Sequence, residues 1–174
     1  KGTQLSWSVY LMHPKGTPSL VAGGRLSGGG VLQNTIGNPL DTTIALSHLI
    51  FEGTLDRHPG LKICAVHGGG YFASYAHRSD AVIRTFPQRV GPLPKKLPTQ
   101  YLKDGQLYFD TIVFDPEALN YLISQTGSDK IMIGTDYPYG WTNTEVELIM
   151  RTPGLSDNER IAILGGTAAK LLGL

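Results

Sequence analysis

The chain has 174 residues, enough for one ordinary domain with a substantial core, and nothing in it demands two. Its 15 basic and 14 acidic residues leave a net charge of +1, which argues against nucleic acid or an anionic membrane surface and for a small molecule gripped locally. The one cysteine, Cys64, excludes an internal disulfide framework and suits a reducing, cytoplasmic compartment, and no apolar run approaches the roughly 20 residues of a membrane helix.

The N-terminus, Lys1-Gly2-Thr3-Gln4, has neither an initiating methionine nor a signal-peptide pattern, so a cut inside a longer protein is expected there. A first β-run, Leu5 to Met12, ends on His13-Pro14, and a glycine-rich loop follows from Gly23 to Gly30. After Asn38-Pro39 the spacing of Leu40, Ile44, Leu49 and Phe51 predicts a helix that ends near His58-Pro59-Gly60. The second strand, Lys62 to Val66, runs into His67-Gly68-Gly69-Gly70, followed by a helix over 71–85 and a proline-rich loop from Phe86 to Pro98. Gln106 to Asp110 is the third strand, and Asp115 is placed to cap a helix from Pro116 to Gln125. The fourth, Lys130 to Gly134, leads into Thr135-Asp136-Tyr137-Pro138; helices over 143–150, 157–164 and 167–172 complete the chain. Alternating strands and helices predict an α/β fold with a parallel sheet, either doubly wound or part of a barrel.

Three chemically capable side chains, His13, His67 and Asp136, each stand just after a strand. In parallel α/β architectures the strand ends open onto one face, so residues distant in sequence converge there. Each also has a plainer reading. His13 fits a strand-end histidine satisfied by a neighbour, His67 a structural turn, and Asp136 a turn or cap residue. The glycines after His67 remove side chains where a ligand or backbone must come close. Imidazole and carboxylate together suit a divalent ion such as zinc, which makes hydroxide available from bound water at neutral pH. A histidine beside that water titrates near neutrality and exchanges its proton.

The runs Gly37-Asn-Pro-Leu-Asp-Thr-Thr, Leu49-Ile-Phe-Glu-Gly53, His58-Pro-Gly-Leu-Lys-Ile63, His67-Gly-Gly-Gly and Gly134-Thr-Asp-Tyr-Pro138 resemble the amidohydrolase-related family that includes aminocarboxymuconate-semialdehyde and resorcylate decarboxylases. The resemblance extends from about His13 to the last helix, where Thr167 replaces the family's usual asparagine. It implies that residues 1–174 are a single partial domain, the C-terminal half of a (β/α)8 TIM-type barrel carrying about strands five to eight, with outer helices. It further implies His13 and Asp136 as metal ligands, with His67 and Asp136 as the proton-handling residues. Arg78, eleven residues past His67, would hold a substrate carboxylate, in some relatives that of a neighbouring subunit; its plainer reading is a solvated helix-face charge.

The family's His-x-His pair is absent, since the five histidines stand at 13, 48, 58, 67 and 77. Those ligands are therefore expected on an N-terminal half that precedes this chain. The isolated chain is expected to bind metal poorly, turn over nothing, and associate with the missing half or with copies of itself. The implied cofactor is a divalent metal, zinc foremost, with manganese or magnesium as alternatives. The implied reaction is decarboxylation of a small unsaturated or aromatic carboxylate. Hydrolysis of a C–O or C–N bond in a lactone or amide stays open, as does a non-catalytic assembly module. Trp7, Tyr71, Phe72, Tyr137, Tyr139 and Trp141 could form an apolar wall. An α/β-hydrolase reading of His67-Gly-Gly-Gly lacks the Gly-x-Ser-x-Gly elbow and a late histidine. A nucleotide-binding reading of the Gly23–Gly30 loop lacks both the Gly-x-Gly-x-x-Gly spacing and a Walker lysine.

Overall fold

A computed structural model describes residues 23–141 and 145–174. The expected first strand, with Trp7 and His13, lies outside the described residues. The other three expected strands are present as β1 (Ile63–Ala65), β2 (Leu107–Asp110) and β3 (Ile131–Met132), shorter at their ends than the β-branched runs suggested. They form a parallel sheet in the order β1-β2-β3, with Ala65 paired to Phe109 and Phe109 to Ile131. Parallel neighbours cannot be joined by a tight turn, and each connection here carries helices.

Between β1 and β2 run α3 (Phe72–Thr85) and the short α4 (Pro98–Tyr101); between β2 and β3 runs α5 (Pro116–Thr126). Ahead of β1 lie α1 (Asn38–Phe51) and α2 (Thr54–Arg57). After β3 come α6 (Glu145–Arg151), α7 (Asp157–Ile161) and α8 (Thr167–Leu172). Asp115 caps α5 as its position suggested, accepting the backbone N–H groups of Glu117 and Ala118 at 2.9 and 3.0 Å. Ser156 and Glu159 close a reciprocal capping box on α7. The helix expected over 157–164 stops at Ile161, and residues 162–166 wind as a π-turn that ends on Gly165-Gly166, where missing side chains weaken a regular helix. The carbonyl of Ile163 in that turn accepts the N–H of Ile133, tying the last helices to the end of β3.

One face of the sheet is packed and the other is not. Ile63, Ala65, Leu107, Phe109 and Ile131 are buried against Leu46 and Ile50 of α1, Phe72 and Ala76 of α3, and Leu119 and Leu122 of α5. Side chains alternate along a strand, so Cys64, Tyr108 and Met132 stand on the opposite face, and all three are half-buried. Burial nevertheless pushes the Cys64 thiol up to about 12, which keeps it protonated and unreactive. Buried polar residues lock the connections: Tyr101 donates to Asp56 at 2.5 Å, Gln106 donates to the carbonyls of Leu55 and His58, and Asp80 accepts both the backbone N–H and the hydroxyl of Thr99.

Candidate functional site

The carboxyl ends of the three strands carry the chemistry. β1 leads through Val66 to His67, β2 ends on Asp110, and β3 leads through Ile133 and Gly134 to Asp136. Neighbouring strands lie about 4.8 Å apart, so the tips of β1 and β3 stand about 10 Å apart with β2 between them.

Asp110 organises this end. It is 5% exposed, and its carboxylate accepts the backbone N–H of His67 at 3.0 Å, of Gly68 at 2.7 Å and of Ile112 at 3.0 Å. Burial raises its pKa to about 6, against the pull of those three N–H groups, and the nearby charge of Asp136 raises it further. At neutral pH it is a carboxylate clamping the His67 turn. Gly134 comes so close that a β-carbon there would stand 2.7 Å from that of Asp110, which draws the β3 tip against the same side chain.

Both candidate reactive residues sit in left-handed backbone, His67 at φ 57° and Asp136 at φ 54°. Non-glycine residues adopt this conformation at a cost that the surroundings must offset, and such positions gather at functional sites. The offset at His67 is visible. Asp110 holds its N–H, and α1 seats directly on the glycine run. A β-carbon on Gly70, at φ 62°, would lie 2.1 Å from the carbonyl oxygen of Pro39 and 2.6 Å from the Thr43 hydroxyl. That hydroxyl donates to Pro39 and accepts the N–H of Tyr71, both at 2.8 Å. Thr42 meets the imidazole itself, 3.3 Å from Nδ1.

Asp136 is half-buried, and its Oδ2 accepts the indole N–H of Trp141 at 2.8 Å. Its carbonyl accepts the N–H of Tyr139, so it opens a turn and does not cap α6. Trp141 packs on Phe114, with ring centroids 4.7 Å apart, making a small aromatic wall beside the carboxylate. Glu145 adds a third acid. It is 5% exposed, takes a hydrogen bond from the Thr111 side chain, and leaves Oε2 buried without a hydrogen-bond partner among the described residues. Burial, with a smaller contribution from Asp110, raises its pKa to about 7. Among the described residues no lysine or arginine forms a salt bridge with Asp110, Asp136 or Glu145. The Asp110 charge is felt by Glu145, and the Asp136 charge by Asp110, which adds to burial in holding both pKa values up.

The structure therefore brings His67 and Asp136 to one end of the sheet, on strands that flank Asp110. Arg78 is not drawn in; it is exposed on α3, opposite the buried face of Phe72, Ala76 and Asp80. Of the expected apolar wall, Phe72 is core at 2% exposure and Tyr71, Tyr137 and Tyr139 are exposed, while Trp141 reaches a candidate site residue, Asp136, with its side chain. Among the described residues no three His, Cys, Asp or Glu side chains stand close enough together to hold a metal ion, so these residues alone do not complete a cage. Sequence reasoning missed Asp110, Glu145, Thr42 and Phe114. Asp110 ends a strand, the same signal that pointed to the residues after β1 and β3. Thr42 lay within the Gly37–Thr43 run that carries the family resemblance but was given no role there, and Glu145 carried no signal beyond an acid on a helix.

His67, Asp110 and Asp136 thus stand at the carboxyl end of a parallel sheet, the place where α/β chains commonly carry their sites. The chain belongs to the amidohydrolase family, whose model, described as Amidohydrolase, matches residues 3–174. It is 33% identical over 140 residues to a 2-amino-3-carboxymuconate-6-semialdehyde decarboxylase of Dictyostelium discoideum, a match covering 80% of this chain and 38% of that protein. Among solved structures it resembles the 5-carboxyvanillate decarboxylase LigW of Sphingomonas paucimobilis, with a TM-score of 0.78 and 26% identity over 90% of this chain and 47% of that one. It also resembles a dihydroxybenzoic acid decarboxylase of Polaromonas sp. JS666, solved with bound manganese and the inhibitor 2-nitroresorcinol, with a TM-score of 0.71 and 26% identity over 88% and 45% of the two chains. The chain thus spans less than half the length of each of these proteins. No helix among the described residues is long and apolar enough to cross a membrane.

Proposed function

We propose that this chain is the C-terminal half of a (β/α)8 barrel enzyme that decarboxylates a small unsaturated or aromatic carboxylate with the help of a divalent metal ion. The observation that carries the reading is the convergence of His67 and Asp136, both in left-handed backbone, on the strand tips either side of Asp110. The decarboxylase relatives support the reaction, and the open sheet face of Cys64, Tyr108 and Met132 supports a barrel interior that further strands would cover.

In this reading a proton carried by His67 or Asp136 adds to the carbon that bears the carboxylate, using a pair of π electrons to form the C–H bond. The C–C bond to the carboxylate then breaks, its electron pair restores the π system, and carbon dioxide leaves. Trp141 holds Asp136 in place by its indole N–H, and the Phe114–Trp141 pair offers a flat apolar surface to the substrate ring. His13 and Asp136, with ligands from the other half of the barrel, would hold the metal. The ion would supply positive charge to orient and polarise the substrate. The bound manganese of the Polaromonas relative and the oxygen-rich donors here support manganese beside the zinc expected from sequence.

The test uses the full-length protein, with release of carbon dioxide from muconate-type and hydroxybenzoate carboxylates as the readout and metal content measured in parallel. His67→Ala is expected to abolish turnover with metal retained, and Asp136→Ala to lose both. Turnover surviving in His67→Ala would sink the proton-transfer role, and hydrolysis without carbon dioxide release would replace the proposed reaction.

Exposed residues on α3 support self-association as well. Tyr71, Tyr75, Arg78 and Val82 recur every three or four residues along one exposed face of the helix, and Phe86 at its C-cap extends the row. A second copy seated there would cover the apolar row and meet Arg78.

A further inference from the structure

Thr42 is fully buried in α1, with its hydroxyl oxygen 3.1 Å from the carbonyl oxygen of Asn38 and 3.3 Å from Nδ1 of His67. A hydroxyl has one proton to give and two lone pairs to receive with. The back-bond to the carbonyl four residues earlier, a common habit of threonine inside a helix, uses that proton. With the proton engaged there, at the shorter of the two contacts, the oxygen is free to accept from the ring nitrogen facing it.

We propose that Thr42 is a positioning residue that fixes His67 in its Nδ1–H form, so that Nε2 carries the lone pair for proton transfer. The inference rests on the role given to His67 above. The imidazole is thereby referenced to α1, while the main chain of the same residue is referenced to β2 by Asp110. The neighbouring Thr43 makes the equivalent bond to the backbone of the turn, at Tyr71. Two consecutive helical threonines thus hold one turn, Thr42 by the ring and Thr43 by the main chain. Which ring nitrogen carries the proton is set by the hydrogen bond the other makes, and the loss of such a supporting contact typically lowers activity roughly 10- to 100-fold.

The tautomer is read by nitrogen-15 NMR of the 174-residue chain labelled at histidine, at a pH high enough to keep the imidazole neutral. In the parent chain, Nδ1 of His67 should show a protonated and Nε2 an unprotonated nitrogen. Thr42→Val, close in shape but without the hydroxyl, should shift the population toward Nε2–H, and Thr42→Ser should keep the parent pattern. Thr42→Ala removes the hydroxyl a second way should valine disturb the fold. In the full-length enzyme Thr42→Val should lower kcat by roughly 10- to 100-fold with KM nearly unchanged, and Thr42→Ser should restore most of it. A parent His67 in the Nε2–H form, or a Thr42→Val or Thr42→Ala chain with an unchanged tautomer, overturns the proposal. Full activity in Thr42→Val beside an inactive His67→Ala overturns it while leaving the role of His67 standing; activity in His67→Ala overturns both.

Discussion

Glu145 is held where ionisation opposes folding. Its carboxyl is buried, one oxygen has no hydrogen-bond partner among the described residues, and its pKa rises from 4.5 to about 7. The folded chain therefore keeps this proton over a range in which the unfolded chain has lost it. The stability this group contributes is fully present below about 4.5 and declines as pH rises through about 7. Glu145→Gln removes the charge at nearly constant shape. Its thermal midpoint should equal the parent's near pH 4.5 and exceed it at about pH 8, with roughly 2–4 °C for each kcal/mol recovered. Matching midpoints at both pH values would show that the parent carboxyl ionises without cost to the fold. At this scale the site was partly legible in the sequence. His67 and Asp136 were visible because each follows a strand, His67 directly ahead of three glycines, whereas Glu145 and Thr42 act through burial and partners that only the packed fold supplies.

At the scale of elements, periodicity did most of the work. α3 and α5 stand where apolar spacing put them, and Asp115 caps as expected, because these signals are local; the helix expected to end near His58 instead stops at Phe51, where Gly53 in left-handed backbone breaks it into α1 and α2. α4 was not expected: it begins at Pro98, the last residue of the stretch read as a loop, and proline there looks the same in a loop and in a first helical turn. The outward side of α3 carries the next test. Tyr75 is 61% exposed, so Tyr75→Glu should leave the fold intact, while a charge in the centre of the Tyr71–Val82 row should break contact with a second copy. Light scattering on the full-length protein should then report monomers in place of the parent assembly. An unchanged mass would remove this face from the interface.

For the molecule as a whole, the described residues bury one face of the sheet under helices and leave Cys64, Tyr108 and Met132 half-buried on the other. Asp136 is the one proposed metal ligand among the described residues, and their side chains do not make a cage, so zinc or manganese titrated calorimetrically into the 174-residue chain should bind weakly. The full-length protein should take up the ion tightly and in stoichiometric amount. Tight one-to-one binding by the 174-residue chain would contradict the half-barrel reading. Parallel topology was legible because strand and helix patterns alternate along the chain, whereas the barrel proposed above would need more strands than the three described here.

Most positions in this architecture answer to a single demand. Phe109 and Ile131 face the helices and serve stability, whereas Phe114 is exposed on a turn and its loss would cost the fold little. Asp110 answers to both, being buried at the end of β2 while its oxygens organise the turn that bears His67. Under the proposed function, a replacement at Asp110 would have to satisfy folding and the placement of His67 in the same step, so this position is closed to gradual change in a way that a position with one demand is not.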